Sequence, residues 1–245
     1  MTDTNRTDPI AGRTVLITGA NRGLGQALVE EVLRRDARHV YAAARRPLAH
    51  SDERVTPILL DVTDEAQVEA AAKTVEDLDV LINNAGVSTP EEIGDRASLD
   101  RHLAVNLYGP WALTRAFRPH VTRAHGTVVN VLSLAAIASL PMAPAYSMSK
   151  AAALSLTQAT RALLAADGVR VHAVMAGPID TEMSRDLPIQ KTPPETVARN
   201  LLDAVAAGTE DIFPDPWSAE LAEAWTHGPV RKLEQDNSAL LAQLG

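Results

Sequence analysis

The chain has 245 residues, of which 46% are hydrophobic and 22% charged, so it is long and apolar enough to bury one large core. Its formal charge of −8 is spread along the chain without a basic block, which argues against a nucleic-acid surface, and the lack of cysteine excludes disulfides and thiolate metal sites. No stretch approaches the roughly 20 apolar residues that span a bilayer, so we predict a cytoplasmic protein with no membrane partner and no metal site.

Short runs rich in valine, isoleucine and leucine alternate with longer alanine-rich helical patterns. This alternation predicts an α/β fold, with a Rossmann-type doubly wound parallel sheet and helices on both faces. The predicted strands cover residues 14–18, 39–44, 55–60, 80–83, 127–132, 169–175 and a short stretch near Ile212. The predicted helices cover residues 23–35, 64–76, 98–117, 145–166 and 194–207.

The polar residues 1–12 are predicted to be a flexible leader, and residues 13–245 a single dinucleotide-binding and catalytic domain. Residues 181–195 contain several prolines and are predicted to form a substrate-loop insertion.

Polar or glycine residues follow the predicted strands where they end. They are Gly19, Arg45, Asp61, Asn83, Ser133 and Gly177. Because the carboxyl ends of parallel strands meet at one edge of the sheet, where open α/β sheets bind ligands, these residues are predicted to line one groove.

The first predicted strand runs directly into Gly19-Ala20-Asn21-Arg22-Gly23-Leu24-Gly25. A glycine-rich turn between a strand and a helix lets the backbone approach a pyrophosphate, which the free N–H groups of the helix attract. The spacing Gly-x-x-x-Gly-x-Gly differs from the Gly-x-Gly-x-x-Gly of the best-known dinucleotide fingerprint. The alternative is a glycine-rich turn that holds no ligand.

Tyr146 and Lys150 lie four residues apart at the start of an alanine-rich helical run, with Ser133 upstream of them. On a helix this spacing places the phenol and the ammonium on one face. A cation beside a phenol favours the phenolate, so we expect Lys150 to lower the pKa of Tyr146 and to make its hydroxyl a proton donor or acceptor. The pair indicates acid/base chemistry on a carbonyl or a carbinol, and the alternative is a solvated lysine over a packed ring.

In order and spacing, the motifs resemble those of the short-chain dehydrogenases/reductases in their shorter form. The matching stretches are Thr18 to Gly25, Asp61-Val62, Asn83-Asn84-Ala85-Gly86, Asn106, Ser133 and Tyr146-x-x-x-Lys150. The resemblance implies a catalytic set of Asn106, Ser133, Tyr146 and Lys150, in which Tyr146 donates or accepts the proton.

In that set, Ser133 is expected to donate a hydrogen bond to the carbonyl oxygen. The resemblance implies that Lys150 also holds the nicotinamide ribose and that Asn106 supports a water-linked proton path to the lysine. Two alternatives stay open: Ser133 as a strand-end hydroxyl bonded to backbone, and Asn106 as a polar group that satisfies a helix kink.

The end of the second predicted strand favours NADP(H) as the cofactor. Arg45 and Arg46 stand there, with alanine where a carboxylate would bind the ribose 2′-hydroxyl of NAD. Arg22 would add a second positive charge near the 2′-phosphate, and relatives with arginine at these two places generally prefer NADP. The alternative is that Arg45 and Arg46 only solvate a loop.

Further cofactor contacts follow from the resemblance. Asp61 would accept from the adenine amino group beside the N–H of Val62, although Asp61 is also placed to cap the next helix. The expected cofactor-binding residues are Gly19, Asn21, Arg22, Gly23, Leu24, Gly25, Arg45, Asp61, Val62, Asn83, Ala85, Gly86, Tyr146, Lys150, Gly177, Pro178, Ile179 and Thr181. The family's usual Asn-Pro-Gly is replaced by Met175-Ala176-Gly177, which predicts a looser turn at the nicotinamide end.

The substrate is expected to lie against residues 135–143, the insertion and the carboxyl-terminal tail. Their side chains are mostly apolar and include Ile137, Leu140, Met142, Met183 and Leu187. This lining favours a small hydrophobic carbonyl or alcohol.

Trp217, Leu221 and Trp225 form a helical stripe that we interpret as core, with contact to substrate or to another subunit as the alternatives. The predicted helices 98–117 and 145–166 pair across subunits in many relatives. A homodimer or homotetramer is therefore expected.

The sequence as a whole favours an NADP(H)-dependent oxidoreductase of the carbonyl reductase type, acting on a hydrophobic ketone, aldehyde or alcohol. The alternatives are a noncatalytic nucleotide-sensing protein on the same fold, and an epimerase or dehydratase.

Overall fold

The computed structural model describes residues 8–46, 49–89 and 94–244, with side chains through residue 239. Within these ranges seven parallel strands form one sheet in the order β3-β2-β1-β4-β5-β6-β7. The strands are β1 (Thr14–Thr18), β2 (His39–Ala44), β3 (Val55–Leu59), β4 (Val80–Asn83), β5 (Thr127–Val131), β6 (Arg170–Val174) and β7 (Asp211–Ile212). The prediction of a doubly wound parallel sheet is confirmed, because the strand order reverses direction between β1 and β4.

The helices lie on both faces of this sheet. They are α1 (Gly23–Arg34), α2 (Glu65–Thr74), α3 (Arg96–Leu103), α4 (Gly109–Arg123), α5 (Pro144–Leu164), α6 (Pro194–Ala207), α7 (Pro216–Thr226) and α8 (Pro229–Leu244). The predicted helix 98–117 is divided, because a π-helical turn (Ala104–Tyr108) separates α3 from α4. Across the described ranges, none of the helices combines the length and apolarity that crossing a membrane requires.

Successive residues of each central strand pack on opposite faces, which explains why these strands read as continuous apolar runs. In β1, Ile17 packs with α1 and α6, whereas Leu16 packs with α2 and α4 on the other face. Each such side chain contributes roughly 1.5–3 kcal/mol through burial. The two apolar layers hold the sheet rigid behind the edge at which the strands end.

The prediction of a flexible leader is wrong for residues 8–12. Ile10 has no exposed surface and belongs to the core on the α1 side of the sheet. Asp8 accepts the Ile10 N–H at 2.9 Å and forms an ion pair with Arg35. Residues 1–7 of the expected leader lie outside the described ranges.

Of the two carboxyl-terminal helices, α7 was indicated only by the helical stripe at Trp217, Leu221 and Trp225, and α8 was not predicted. Arg161 of α5 donates to Asp211 at 2.6 Å and to Glu234 of α8, and Arg231 donates to Glu234 at 2.7 Å. Asp211 also accepts from the indole N–H of Trp225 at 2.8 Å. These buried ion pairs and hydrogen bonds attach α7 and α8 to α5 and β7. Arg161 and Glu234 lie 73 positions apart in the sequence.

The interpretation of the tryptophan stripe as core is wrong for its first two members. Trp217 and Leu221 are 47% and 43% exposed, whereas Trp225 is half-buried against Leu132 and its neighbours. Asp215 caps α7 at the sheet edge, and the buried residue of the helix is Ser218 in its first turn, so Trp217 and Leu221 face outward beside it.

We predict that Glu234→Ala lowers the free energy of unfolding by about 2 kcal/mol, because it leaves two largely buried guanidinium groups without one of their partners. Urea unfolding followed by circular dichroism measures the change. Asp236→Ala on the same helix is the control, since its pair with Lys232 is exposed and should contribute less than about 0.5 kcal/mol. Equal effects of the two substitutions would contradict the assignment of the buried cluster as the attachment of α8.

Candidate active site

The glycine turn between β1 and α1 needs its glycines for backbone reasons. Gly19 and Gly23 have φ of 65° and 54°, in the left-handed region that side chains disfavour. A Cβ on Gly25 would lie 2.0 Å from the carbonyl oxygen of Gly19. Among the described residues no side chain caps α1, which begins after Arg22, so its first N–H groups face the turn and can bind an anion.

A network between β1 and β4 holds the turn against the segment 83–86. The Thr18 hydroxyl accepts the N–H groups of Asn84 and Ala85 at 3.0 Å each. The Asn84 side chain donates back to the Thr18 carbonyl at 2.8 Å. Asn84 was not among the predicted site residues, and its place directly after a strand next to β1 is the signal that could have found it.

Asn83, its neighbour, turns its side chain away from the groove. It is buried and donates to Asn130 at 2.8 Å, and Asn130 donates to Thr157 of α5 at 3.0 Å. The side chain therefore braces two strands and a helix, and only the Asn83 backbone is left for the expected cofactor contact.

Ser133, Tyr146 and Lys150 come together at the end of β5 and the start of α5. The Ser133 hydroxyl is hydrogen-bonded to Tyr146 and also accepts the Ala135 N–H at 3.1 Å. The Lys150 ammonium is buried, lies 5.9 Å from the centroid of the Tyr146 ring and donates to the Val131 carbonyl at 2.8 Å. Because Lys150 is buried, the alternative of a solvated lysine over a packed ring is excluded.

Burial is the main cause of the pKa shifts of both Tyr146 and Lys150. Burial raises the pKa of Tyr146, and the hydrogen bond from Ser133 offsets only part of that rise. Burial also lowers the pKa of Lys150 to about 8. The expected lowering of the Tyr146 pKa is therefore wrong for this structure, because desolvation of the phenol outweighs the hydrogen bond from Ser133.

Asn106 lies in the π-helical turn between α3 and α4, which agrees with the alternative that it satisfies a helix kink. Its amide donates to the Val87 carbonyl and to the Ser149 hydroxyl, both at 2.9 Å, and its carbonyl oxygen accepts the Val87 N–H at 2.9 Å. A Cβ on Gly86 would lie 3.3 Å from this oxygen and 3.7 Å from Lys150 Nζ. Asn106 therefore fixes the segment that separates the glycine turn from Lys150.

His102 is a further site residue that the sequence did not single out. It is fully buried, its ring edge faces Tyr146 at 6.2 Å between centroids, and its Nδ1 donates to the Ser98 carbonyl at 2.8 Å. Its Nε2 accepts the Thr89 N–H at 3.3 Å. The spacing of one helical turn between His102 and Asn106 is the signal that places both on the same face.

At the far end of the groove, Asp61 does not cap the next helix. Asp64 does so, accepting from the N–H groups of Ala66 and Gln67. Asp61 accepts from the backbone and the hydroxyl of Thr63 at 3.0 and 2.7 Å. Burial alone would raise the pKa of Asp61, but these hydrogen bonds, with the charge of Arg45 nearby, lower it below its usual value.

The turn after β6 is anchored rather than loose. The Gly177 N–H donates to the buried Asp215 carboxylate at 2.7 Å, and a Cβ on Gly177 would lie 2.6 Å from that carboxylate. The missing asparagine and proline are thus compensated by a residue 38 positions later, and the predicted looser turn is wrong.

The chain beyond this turn runs back to the glycine turn. A Cβ on Gly23 would lie 3.0 Å from Thr181, and Arg22 forms an ion pair with Glu182. A bridge between Ile179 and Thr192 closes the segment, which carries exposed Met183 and Leu187. Of the other residues predicted to line the substrate site, Ile137, Leu140 and Met142 are also exposed.

The comparisons with known proteins agree with this geometry. A sequence profile described as short chain dehydrogenase matches residues 13–192. Oxidoreductase UcpA of Escherichia coli strain K12 is 31% identical over 213 residues, covering 80% of this chain and 81% of that protein. Short chain dehydrogenase mpl6 of Monascus purpureus is 31% identical over 254 aligned positions, covering 95% of this chain and 84% of the other. A short chain dehydrogenase from Burkholderia cenocepacia J2315, solved in complex with NADP, is 37% identical with a TM-score of 0.85, over 93% of this chain and 98% of that chain.

Lys150 predicts how the free energy of unfolding changes with pH. Between about pH 8 and its ordinary pKa of 10.5 the unfolded chain binds more protons at this position than the folded chain does. The free energy of unfolding should therefore rise by roughly 2 kcal/mol from about pH 8 to about pH 10, relative to a Lys150→Met variant. Urea unfolding of both proteins across this range tests it, and parallel pH profiles would contradict it.

Proposed function

Because the chain belongs to the short-chain dehydrogenase family and is an oxidoreductase of that family, we propose that it is an NADP(H)-dependent carbonyl reductase. In this proposal it reduces a small hydrophobic ketone or aldehyde to an alcohol, or runs the reverse reaction. The observation that carries the proposal is the meeting of Ser133, Tyr146 and Lys150 beside the segment that packs on the glycine turn. We also propose that the chain from Asp8 onward forms one domain rather than starting at residue 13, since a single sheet supports both parts of the site and Ile10 packs in its core.

The residues of the groove fit a dinucleotide. The close approaches at Gly19, Gly23 and Gly25 leave backbone N–H groups at the start of α1 for a pyrophosphate. Asp61 and Val62 are assigned to the adenine, and Gly177, Pro178, Ile179 and Thr181 to the nicotinamide carboxamide. NADP in the solved relative from Burkholderia cenocepacia supports this choice of cofactor.

Two arginines support the phosphorylated form of the cofactor. Arg22 in the glycine turn and Arg45 after β2 are assigned to the 2′-phosphate. The charge of Arg45 already reaches Asp61 across the ends of β2 and β3. A guanidinium binds a phosphate through paired hydrogen bonds, so these residues favour NADP(H) over NAD(H).

When bound, the nicotinamide supplies or accepts the hydride. The Tyr146 hydroxyl then gives its proton to the carbonyl oxygen as negative charge develops there, and Ser133 donates a hydrogen bond to the same oxygen. Lys150 holds a positive charge close to Tyr146, and its lowered pKa of about 8 suits it to pass on a proton near neutral pH. In this proposal Asn106 acts as a positioning residue and supports the water-linked path to the lysine.

The proposed substrate follows from the exposed apolar side chains around the site. Leu140 and Met142 lie after Ser133, and Met183 and Leu187 lie in the segment after Thr181. These side chains suit an uncharged substrate, whereas a charged one would need a partner that they do not supply. Residues 181–195 are accordingly assigned to substrate binding.

We also propose that the chain assembles as a homodimer or homotetramer through α4 and α5. Large hydrophobic side chains on or next to these helices are exposed, namely Tyr108, Trp111, Met148 and Leu163. The Trp111 ring carries the Arg115 guanidinium at 5.0 Å. The absence of cysteine is in keeping with the reducing cytoplasm, where we place the protein.

Tyr146→Phe tests the reaction. It removes the donated proton but keeps the ring, so kcat for NADPH-dependent reduction of hydrophobic ketones should fall about 10²- to 10⁴-fold. NADPH binding, followed by fluorescence, should change little, and Tyr108→Phe is the matched control with full activity. Retention of most of the activity in Tyr146→Phe would refute the mechanism, and a higher kcat/KM with NADH than with NADPH would refute the cofactor assignment.

Trp111→Glu tests the assembly. A charge placed in an apolar interface destabilises it, so light scattering after size exclusion should report a lower mass than for the unaltered protein. Leu59→Glu, which alters an exposed apolar side chain on the outer strand β3, should leave the mass unchanged. An unchanged mass for Trp111→Glu would rule out this face.

A further inference from the structure

An ion pair joins the two sides of the cofactor groove. Arg22, in the glycine turn, pairs with Glu182, the first residue of a short helical turn (Glu182–Ser184) in the segment after Thr181. The same two parts of the chain also meet at Gly23, where a Cβ would lie 3.0 Å from the Thr181 side chain. Arg22 is one of the two arginines assigned to the 2′-phosphate, so its guanidinium already has an anionic partner in the chain.

The Arg22–Glu182 ion pair is weak enough for another anion to replace Glu182. The side chains of Arg22 and Glu182 are 63% and 52% exposed, and ion pairs of such exposure are weak because water screens them. A phosphate carries nearly twice the charge of a carboxylate and offers three acceptor oxygens to a guanidinium. A 2′-phosphate would therefore displace Glu182 from Arg22.

Glu182 has another cation within reach once Arg22 is taken. The Arg185 guanidinium lies 4.0 Å from the Glu182 carboxylate in the same short segment. Displacement therefore leaves no isolated charge on the segment. The exchange would detach the segment from the glycine turn while keeping its own charges paired.

We propose that Glu182 is a specificity-determining residue that competes with the 2′-phosphate of NADP(H) for Arg22, and that binding of this phosphate releases residues 182–187 from the glycine turn. The inference rests on the proposed function, because it takes Arg22 as a ligand of that phosphate. NAD(H), which has a hydroxyl at this position, leaves the Arg22–Glu182 pair intact. The released segment carries Met183 and Leu187, so the choice of cofactor is coupled to the apolar part of the substrate site.

Calorimetric titration of the full chain with 2′,5′-ADP and with 5′-AMP tests the competition without any catalytic step. Glu182→Gln removes the competing charge, so 2′,5′-ADP should bind about three- to five-fold more tightly, while binding of 5′-AMP stays the same. Asp180→Asn is the matched control, because it removes an exposed carboxylate two residues away on the same segment. It should change the binding of 2′,5′-ADP less than about two-fold.

Hydrogen exchange at the backbone amides of residues 182–187 tests the release. In the unaltered protein 2′,5′-ADP should speed exchange in this segment, whereas 5′-AMP should not. In Glu182→Gln the exchange should be fast before any ligand is added. Slower exchange on binding of 2′,5′-ADP would overturn the proposal.

The outcomes separate this inference from the proposed function. If the unaltered protein prefers 2′,5′-ADP to 5′-AMP but Glu182→Gln binds it no more tightly, the competition is refuted and the cofactor assignment stands. An equal gain in Asp180→Asn would also refute it, because the effect would then be one of net charge. If the unaltered protein shows no preference for 2′,5′-ADP, the cofactor assignment and the competition both fail.

Discussion

The hydrogen bond between the buried Lys150 ammonium and the Val131 carbonyl fixes the arrangement on which the rest of the site depends. A buried ammonium is costly unless it is hydrogen-bonded, so this contact sets how α5 lies against the end of β5. Ser133 follows Val131 by two residues, and Tyr146 precedes Lys150 by one helical turn. Once the lysine is placed, the serine and the tyrosine have little freedom to lie anywhere but beside each other.

Much of the fold and the centre of the site could be predicted from local sequence signals. Strands buried on both faces read as unbroken apolar runs, and the turn has glycine where a positive φ or a close backbone approach disfavours side chains. Tyr146 and Lys150 could be paired because helical geometry alone brings them together. These features depend on contacts between near neighbours in the chain, or on the sheet edge that all parallel strands share.

The features that the sequence did not predict depend on long-range partners. Asn83 and Asn84 are adjacent and identical, yet Asn83 at the end of β4 braces the core, whereas Asn84 just beyond the strand ties the glycine turn. Asp215 could not be connected with Gly177 from the sequence, and α8 is held by charges whose partners are on α5 and β7. The prediction of a lowered Tyr146 pKa was wrong for a related reason. Spacing along a helix indicates that a charge lies nearby, but it does not indicate how deeply the phenol is buried.

Ile10 bears on where the folding unit begins. The match to the family starts at residue 13, and a truncation there would keep every described strand and every residue of the proposed catalytic set. It would also remove a large side chain from the core beside α1 and open a void that the surrounding side chains could fill only in part. The boundary that relatives share is therefore not the boundary at which this chain can be shortened without loss of stability.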